Sequence, residues 1–152
     1  MKLEEAIQSV KFKNQTHKAG LNILYTAWWL KTVMSRELKK FGLTHEQYNV
    51  LRILKGKSPD EMCVKDIAGR MIEKSSNVPR IIDRLVAKKL VKRSTDANDK
   101  RHTVMTLTPA GFNILDTSTK RIDELFGELI AINETSATTL NQLLEQFREK
   151  EN

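Results

Sequence analysis

A helical pattern that runs directly into a hairpin pattern occupies residues 75–106. In its first half, apolar residues recur at offsets of three and four, which places them on one face of a helix and leaves charged residues on other faces. In its second half, apolar and β-branched residues at 90–93 and 103–107 flank a polar tip at 94–101, which predicts a β-hairpin with a long loop. The rest of the chain is expected to support this helix and hairpin.

The start of this helix carries short polar side chains. Ser75 or Ser76 can cap its first turn, because a hydroxyl oxygen there accepts a hydrogen bond from a free backbone N–H. Pro79 then falls among the first helical residues, where its missing N–H has no intrahelical partner to lose. The pattern therefore predicts a helix that begins close to one of the two serines.

Positive charge is concentrated on this helix and hairpin. The whole chain of 152 residues carries a net charge of +7. Residues 65–106 hold eleven Lys or Arg against five Asp or Glu, a balance of +6, whereas residues 107–152 hold four against eight, a balance of −4. A basic patch on a helix and a hairpin favours contact with the phosphates of a DNA groove over a merely solvated surface.

Composition argues against several other classes of protein. Cys63 is the single cysteine, so an internal disulfide is excluded and a reducing cytoplasm is expected. The longest apolar stretch, 25–30, is too short to cross a bilayer, and the amphipathic residues 1–10 do not resemble a signal peptide. We therefore expect a cytoplasmic protein that has no membrane partner.

Two helices are predicted before the central region. Residues 3–13 have the spacing of a short amphipathic helix, and a longer helix runs from about His17 to Phe41. Between residues 21 and 34 the longer helix is apolar around nearly its whole circumference, which requires burial on several sides. A second copy of the chain is the simplest element to cover the sides that its own domain leaves exposed.

Further helix signals lead up to the central helix and hairpin. Gly42 predicts the stop of the long helix, and Thr44 and Gln47 have capping-box spacing for a helix that ends near Leu54. The elements expected next are a turn at 57–60, a short strand at 62–64, a brief helix at 65–72 and a link at 73–74. Two short helices joined by a tight link form a helix-turn-helix pattern.

Two more helices are predicted after the hairpin. Thr108 and Pro109 combine a cap with proline at the first helical position, and apolar residues then recur at helical spacing to about Ala131. A break at 133–136 precedes a last amphipathic helix, whose apolar residues are Leu140, Leu143, Leu144 and Phe147. These acidic helices carry a narrow apolar seam, which suits packing against another chain.

Several motifs, taken in this order and spacing, resemble one family of bacterial transcription factors. They are Leu43-Thr44-X-X-Gln47-Tyr48-X-Val50-Leu51, Val78-X-Arg80-Ile81-Ile82-Asp83-Arg84-Leu85, Leu90-Val91-X-Arg93, Asn98-Asp99-Lys100-Arg101 and Leu107-Thr108-X-X-Gly111. Over roughly residues 20–148, the chain resembles the multiple antibiotic resistance regulator (MarR) family. The resemblance implies a mainly α (α+β) fold, a winged helix-turn-helix with N- and C-terminal dimerisation helices.

The resemblance also implies a domain organisation and a function. Residues 1–41 and 109–152 would supply dimerisation helices, and residues 42–108 would form the DNA-binding winged helix-turn-helix. The family implies a homodimer that binds a pseudo-palindromic operator in double-stranded DNA, usually as a repressor that a small ligand or oxidation releases. A second interpretation is a winged helix that binds another protein, or that binds DNA without sequence preference.

Candidate DNA-binding residues follow from the resemblance, position by position. They are Ser75, Ser76, Asn77, Pro79, Arg80 and Arg84 in the recognition helix, Lys74 just before it, and Asn98, Lys100 and Arg101 in the wing. The short polar residues and Arg80 are expected at base edges, the other residues at phosphates, and Arg101 in a minor groove. Asp99 is expected to orient an arginine, because phosphate repels a carboxylate. For Arg84, an ion pair with Asp83 is as good an interpretation as a DNA contact.

An effector pocket is the usual regulatory site of the family. The residues expected to line it are Tyr25, Trp28, Trp29, Met34 and Tyr48, and a small aromatic or phenolic molecule is the expected effector. Aromatic residues on an apolar helix are more often core, so core packing is the alternative for these five. Cys63 is expected to be a packed, inert thiol rather than an oxidation sensor.

One position departs from the family pattern. Just past the recognition helix the family usually has glycine, whereas this chain has Lys89. Glycine suits a left-handed helix stop, and a lysine either costs about 1 kcal/mol in that conformation or avoids it. The geometry of the turn between helix and wing is therefore left open.

The sequence gives little support to an enzymatic function. His17, His45 and His102 lack metal-ligand spacing, and the chain has no glycine-rich phosphate loop. Cys63 has no histidine near it in sequence. We therefore expect no catalytic activity, no metal and no cofactor.

Overall fold

The computed structural model describes residues 1–151, which form two compact units: residues 1–122, and a unit that begins at Asp123. The helices are α1 (Leu3–Ala6), α2 (Gln15–Lys39), α3 (His45–Lys57), α4 (Val64–Arg70), α5 (Val78–Ala87), α6 (Pro109–Leu129) and α7 (Glu134–Phe147). Strands β1 (Val91–Thr95) and β2 (Thr103–Leu107) pair antiparallel. The predicted fold class, a mainly helical winged helix-turn-helix, is confirmed. Within residues 1–151, no helix is both long and apolar enough to span a bilayer.

The first helix is shorter than predicted. The pattern over 3–13 predicted one helix, but α1 ends at Ala6, and Gln8 adopts a left-handed backbone conformation with a φ of 51°. A left-handed residue stops a helix and turns the chain. Glu4 and Phe12 both contact Lys18 of α2, so this segment returns to the start of the long helix.

The long helix α2 has a buried end and an exposed middle. Asn14 caps it by accepting a hydrogen bond from a backbone N–H at 2.8 Å, and Gly42, with a φ of 71°, follows its last turn as the predicted stop. Leu38 near its C-terminal end is fully buried, whereas Leu24 and Trp28 are 68% and 61% exposed. Within this single chain, the apolar middle of α2 is therefore only partly covered.

The core of the first unit is enclosed by α3, α4, α5, the hairpin and α6. Its fully buried side chains include Val50, Leu51, Ile67, Ile82, Leu85, Met105 and Leu115. α3 begins with the predicted capping box, in which Thr44 Oγ1 accepts from the Gln47 N–H at 3.1 Å and Gln47 Oε1 accepts from the Thr44 N–H at 3.2 Å. It continues to Lys57, one turn past the predicted end near Leu54.

The predicted strand at 62–64 is reduced to one residue pair. Met62 and Met105 exchange two backbone hydrogen bonds, at 3.2 and 2.8 Å, beside the hairpin. Pairing stops there because Cys63 is already the N-cap of α4, with its carbonyl accepting the first bond of the helix. α4 ends at Arg70, short of the predicted end, since the next residue has extended backbone angles.

The hairpin approaches the start of α6 very closely. Thr108 Oγ1 donates to the carbonyl of Lys89 at 2.7 Å and accepts from the N–H of Gly111 at 3.0 Å. This bonding confirms Thr108 as the predicted cap. A Cβ placed on Gly111 would lie 2.1 Å from the carbonyl oxygen of Leu90. Only glycine therefore permits this approach between α6 and the chain that enters β1.

The second unit carries an exposed apolar seam. α7 begins after Asn133, whose side chain accepts a hydrogen bond from the Ser136 N–H at 2.8 Å. The seam consists of Leu140, Leu143 and Phe147, which are all exposed. The predicted last helix is present, and its apolar side chains remain available to a partner.

Candidate nucleic-acid interface

The N-terminus of α5 is capped by Asn77, not by Ser75 or Ser76. Asn77 Oδ1 accepts a hydrogen bond from the Arg80 N–H at 3.3 Å, and proline occupies the first turn, as predicted. The two serines lie in a preceding turn, where the Ser76 N–H bonds the Glu73 carbonyl at 3.2 Å. The prediction that both serines and Asn77 belong to the helix is therefore wrong, since all three precede its first residue.

An open groove of about 440 Å³ lies at this end of α5. It brings together five of the predicted DNA-binding residues, which are Ser75, Ser76, Asn77, Arg80 and Arg84. The start of α3 and the link after α4 add Thr44, Glu46, Gln47 and Glu73 to its lining. Cationic and anionic side chains therefore share one groove at the helix N-terminus.

Arg80 and Arg84 are four residues apart on α5, both are exposed, and both border the groove. The alternative ion pair between Arg84 and Asp83 is wrong, because Asp83 pairs with Arg93 of β1 instead. That pair connects α5 with the wing. The two groove-facing arginines are therefore presented by a helix whose opposite face is packed in the core.

Two predicted DNA-binding residues near this helix do not line the groove. Lys74 Nζ donates to the carbonyl of Gly69 at 2.7 Å, where an ammonium complements the unpaired carbonyls at the end of α4. Pro79 is exposed on the first turn of α5. Lys74 therefore has a structural role in the link, and a DNA contact by either residue stays a prediction.

The turn between α5 and the wing is a left-handed helix stop in spite of its lysine. Lys89 has a φ of 61°, and its N–H bonds the carbonyl of Val86 at 2.9 Å. The Leu90 N–H bonds the carbonyl of Leu85 at 3.0 Å. These two bonds form a Schellman motif, which satisfies carbonyls at the end of α5. Lys89 therefore adopts the conformation that favours glycine, at a cost of about 1 kcal/mol.

At the wing tip, Arg101 is held by a neighbouring carboxylate. Asp99 accepts hydrogen bonds from Nε and Nη2 of Arg101, both at 3.0 Å, and from its backbone N–H at 3.1 Å. The side-chain bonds lower the pKa of Asp99 and raise the pKa of Arg101. The Arg101 side chain is 88% exposed, and Asn98 and Lys100 are exposed on the same tip. The expected contact between Asp99 and an arginine is therefore present.

The five residues predicted to line an effector pocket have different surroundings in the described part of the chain. Tyr48 is buried and its hydroxyl lies 3.0 Å from Thr119 Oγ1 of α6, as a core residue would. Tyr25 and Trp28 are in ring contact at 5.5 Å between centroids, on the exposed part of α2. The other two, Trp29 and Met34, are half-buried. None of the five borders the groove beside α5.

Long-range side-chain contacts around the groove were missed by sequence reasoning. Lys31 of α2 hydrogen-bonds Glu73 and lies 3.5 Å from a carboxylate oxygen of Glu46. Lys88 at the end of α5 donates to the Gln47 side chain at 2.9 Å. Lys31 and Glu73 are 42 residues apart, and Lys88 and Gln47 are 41 apart, so no helical or strand periodicity links them.

Comparison with known proteins bears on this region most directly. The MarR family model matches residues 43–103, which run from the capping box of α3 to the start of β2. No curated protein matches the chain by sequence. Among solved structures, the chain is similar to MepR of S. aureus in a DNA complex, with 23% identity, 86% of this chain and 96% of that chain covered, and a TM-score of 0.77.

Two further solved structures share the fold. CouR from Rhodococcus jostii RHA1, bound to p-coumaroyl-CoA, is 21% identical, with 88% of this chain and 94% of that chain covered and a TM-score of 0.74. A MarR-family transcriptional regulator from Rhodococcus sp. RHA1 is 19% identical, with 88% and 94% covered and a TM-score of 0.73. The chain is therefore similar to the MarR family over its winged-helix region, residues 43–103, and it shares its fold with these solved structures.

Proposed function

We propose that the chain is a sequence-specific DNA-binding transcription regulator, most simply a repressor, that binds a pseudo-palindromic operator as a homodimer. The observation that carries this proposal is the N-terminus of α5, where exposed Arg80 and Arg84 border one groove with three short polar side chains. The similar MepR chain of S. aureus was solved in a DNA complex, which supports the same partner for this chain.

Different side chains contact bases and phosphates, according to their chemistry. Arg80, with the short polar residues of the groove, reads base edges in a major groove, because a guanidinium pairs with two acceptors of guanine. Arg84, Lys74 and Lys100 meet phosphates, which adds affinity without sequence preference. Arg101, oriented by Asp99, enters a minor groove together with Asn98. The remaining residue, Pro79, packs against the DNA backbone.

A second copy of the chain completes the regulator. In one chain, Leu24 and Trp28 on α2 are mostly exposed, and so is the seam of α7. Apolar side chains in this number are costly to leave in water, so a second copy is expected to cover them. Two-fold symmetry then places two recognition helices in major grooves about 10 base pairs apart. Sedimentation should give a dimer, and a stable monomer at micromolar concentration would contradict this arrangement.

A small aromatic or phenolic effector regulates binding in this proposal. Tyr25, Trp28 and Trp29 lie on the part of α2 that a partner would cover, so the pocket is completed only in the dimer. The other two expected lining residues are Met34 and Tyr48. CouR, solved with p-coumaroyl-CoA, shows the kind of ligand that a structurally similar chain binds. The proposal includes no catalytic step and no cofactor.

Selection of bound duplexes from a random library tests the proposal most directly. A pseudo-palindromic sequence with two half-sites about one helical turn apart is the expected result. Repeating the selection with phenolic compounds should reduce the retained DNA if one of them is the effector. Retention without enrichment would indicate an architectural DNA-binding protein instead. A chain that retains no DNA would favour the protein-binding alternative.

A further inference from the structure

The link between α4 and α5 is fixed at three points. The Ile72 N–H donates to Asn49 Oδ1 of α3 at 3.0 Å, and Lys74 binds the end of α4. Between these two anchors, Glu73 accepts a hydrogen bond from Lys31 Nζ. Because this link leads directly into the first turn of α5, whatever fixes the link also fixes the side chains that border the groove.

Lys31 differs from the other anchors because it belongs to α2, outside the helix-turn-helix. Its ammonium hydrogen-bonds Glu73 in the link and lies 3.5 Å from Glu46 in the first turn of α3. The hydrogen bond to Glu73 raises the pKa of Lys31, which shows that the charged ammonium is the form this contact favours. One cation therefore ties together α2, α3 and the link.

The same ammonium balances the charge of the groove. Glu46 and Glu73 both line it, beside Arg80 and Arg84. Without a counter-charge, the two carboxylates would repel DNA phosphates and draw the arginines towards themselves. Lys31 reaches these carboxylates from α2 without bordering the groove itself, so it leaves the space in front of α5 open for DNA.

We propose that Lys31 is a positioning residue for DNA recognition: through Glu73 and Glu46 it holds the link so that Arg80 and the short polar residues beside it meet base edges in register. The inference rests on the proposed DNA-binding function. Lys31 also connects α2 with the DNA-reading residues through one side chain. The exposed Trp28 lies one helical turn before Lys31 on the same helix. A rearrangement of α2 in the dimer then reaches the groove through the Lys31 contacts.

The test is the ratio of affinities for the selected operator duplex and a random duplex, measured by fluorescence anisotropy on the full chain. Lys31→Met and Glu73→Ala should each lower this ratio roughly fivefold, because either substitution removes the contact. Lys31→Arg should keep the ratio, since a guanidinium also pairs with both carboxylates. The double variant Lys31→Met with Glu73→Ala should lose no more than one single variant, because both remove the same interaction.

Lys55→Met is the matched control. Lys55 forms a comparable, partly exposed ion pair with Asp116, between α3 and α6, and neither residue borders the groove. The Lys55→Met substitution should change the melting temperature about as much as Lys31→Met does, and it should leave the affinity ratio unchanged. An unchanged ratio for Lys31→Met, or a Glu73→Ala variant that binds more tightly with full discrimination, would overturn the inference. A wild-type chain that binds no duplex would instead overturn the proposed function.

Discussion

The two regions proposed to contact DNA are held in place by different kinds of interaction. At the N-terminus of α5, the link is anchored by Asn49 of α3, Gly69 of α4 and Lys31 of α2. At the wing tip, Arg101 is held by Asp99, two residues away in the same loop. The first arrangement exists only in the assembled tertiary structure, whereas the second needs only its own loop. Substitutions that disturb packing should therefore act on α5 from a distance, and wing substitutions should act locally.

The largest effect is expected where the wing meets α6. Gly111→Ala would place a Cβ 2.1 Å from a backbone oxygen of Leu90, so the backbone itself must shift. We expect the free energy of unfolding to fall by about 3 kcal/mol, measured by urea denaturation. Gly56→Ala in α3 is the control, because no atom lies within 4 Å of its added Cβ. It should raise stability by about 0.5–1 kcal/mol, and similar results for both would contradict close packing at Gly111.

The next largest effect concerns base reading at α5. Arg80→Ala should reduce discrimination between operator and random duplex by about 2 kcal/mol, roughly thirtyfold, because it removes a bidentate base contact. Lys100→Ala is the wing counterpart. It should weaken binding to both duplexes about equally. The slope of log affinity against log salt concentration should become smaller in magnitude by about one. If Arg80→Ala kept full discrimination in the anisotropy measurement, the assignment of base reading to α5 would be wrong.

A smaller effect tests whether the wing is organised locally. Asp99→Asn should lower operator preference about threefold by releasing Arg101, while affinity for random duplex stays equal or rises because a carboxylate is removed. Thermal stability should not change. Asp96→Asn is the matched control, because it removes a carboxylate from the same tip without contacting Arg101.

The pH dependence of this wing contact follows from its ionisation. The hydrogen bonds to Arg101 lower the pKa of Asp99, so the contact is complete above the unfolded-state pKa of the carboxyl group and is lost only as the pH falls through the lower folded value. The wild-type chain should therefore exceed Asp99→Asn in operator preference by a constant factor between about pH 5 and pH 8. A loss of that difference near pH 6 would show that another group controls the wing.

An effect of similar size, on stability instead of binding, is expected at the turn that joins the two regions. Lys89→Gly should raise the free energy of unfolding by about 0.5–1 kcal/mol, since glycine adopts a φ of this sign without a steric penalty. Gly42→Ala is the converse, because Gly42 has a φ of 71° at the end of α2. It should lower stability by about 1 kcal/mol. A destabilising Lys89→Gly substitution would mean that the lysine side chain contributes more than its backbone conformation costs.

Much of the fold could be predicted because its signals are local. The capping box of Thr44 and Gln47 spans four residues, and the Gly42 stop and the Thr108 cap lie next to the helix ends that they mark. The apolar spacing of α5 and the apolar and β-branched residues on either side of the wing tip likewise act within a few residues. These local signals, in their order, also carried the resemblance to the MarR family that the match over residues 43–103 confirms.

The candidate site was predicted less completely, because its details depend on contacts between distant residues. Ser75, Ser76 and Asn77 are all good caps in isolation, and the turn at Glu73 decided that Asn77 is the one used. Asp83 had a neighbouring arginine in sequence, but the folded hairpin brought Arg93 to it instead.

The sequence alone was sufficient for the type and order of the helices and strands, the concentration of positive charge and the resemblance to the MarR family, since each follows from residues that are close along the chain. The tertiary structure decided which side chains border the groove, how Lys89 completes the turn into the wing, and that Lys31 of α2 pairs with Glu73. The physical reason is that helix patterns repeat over three or four residues and strand patterns over two, whereas ion pairs between elements form only when packing has placed those elements together.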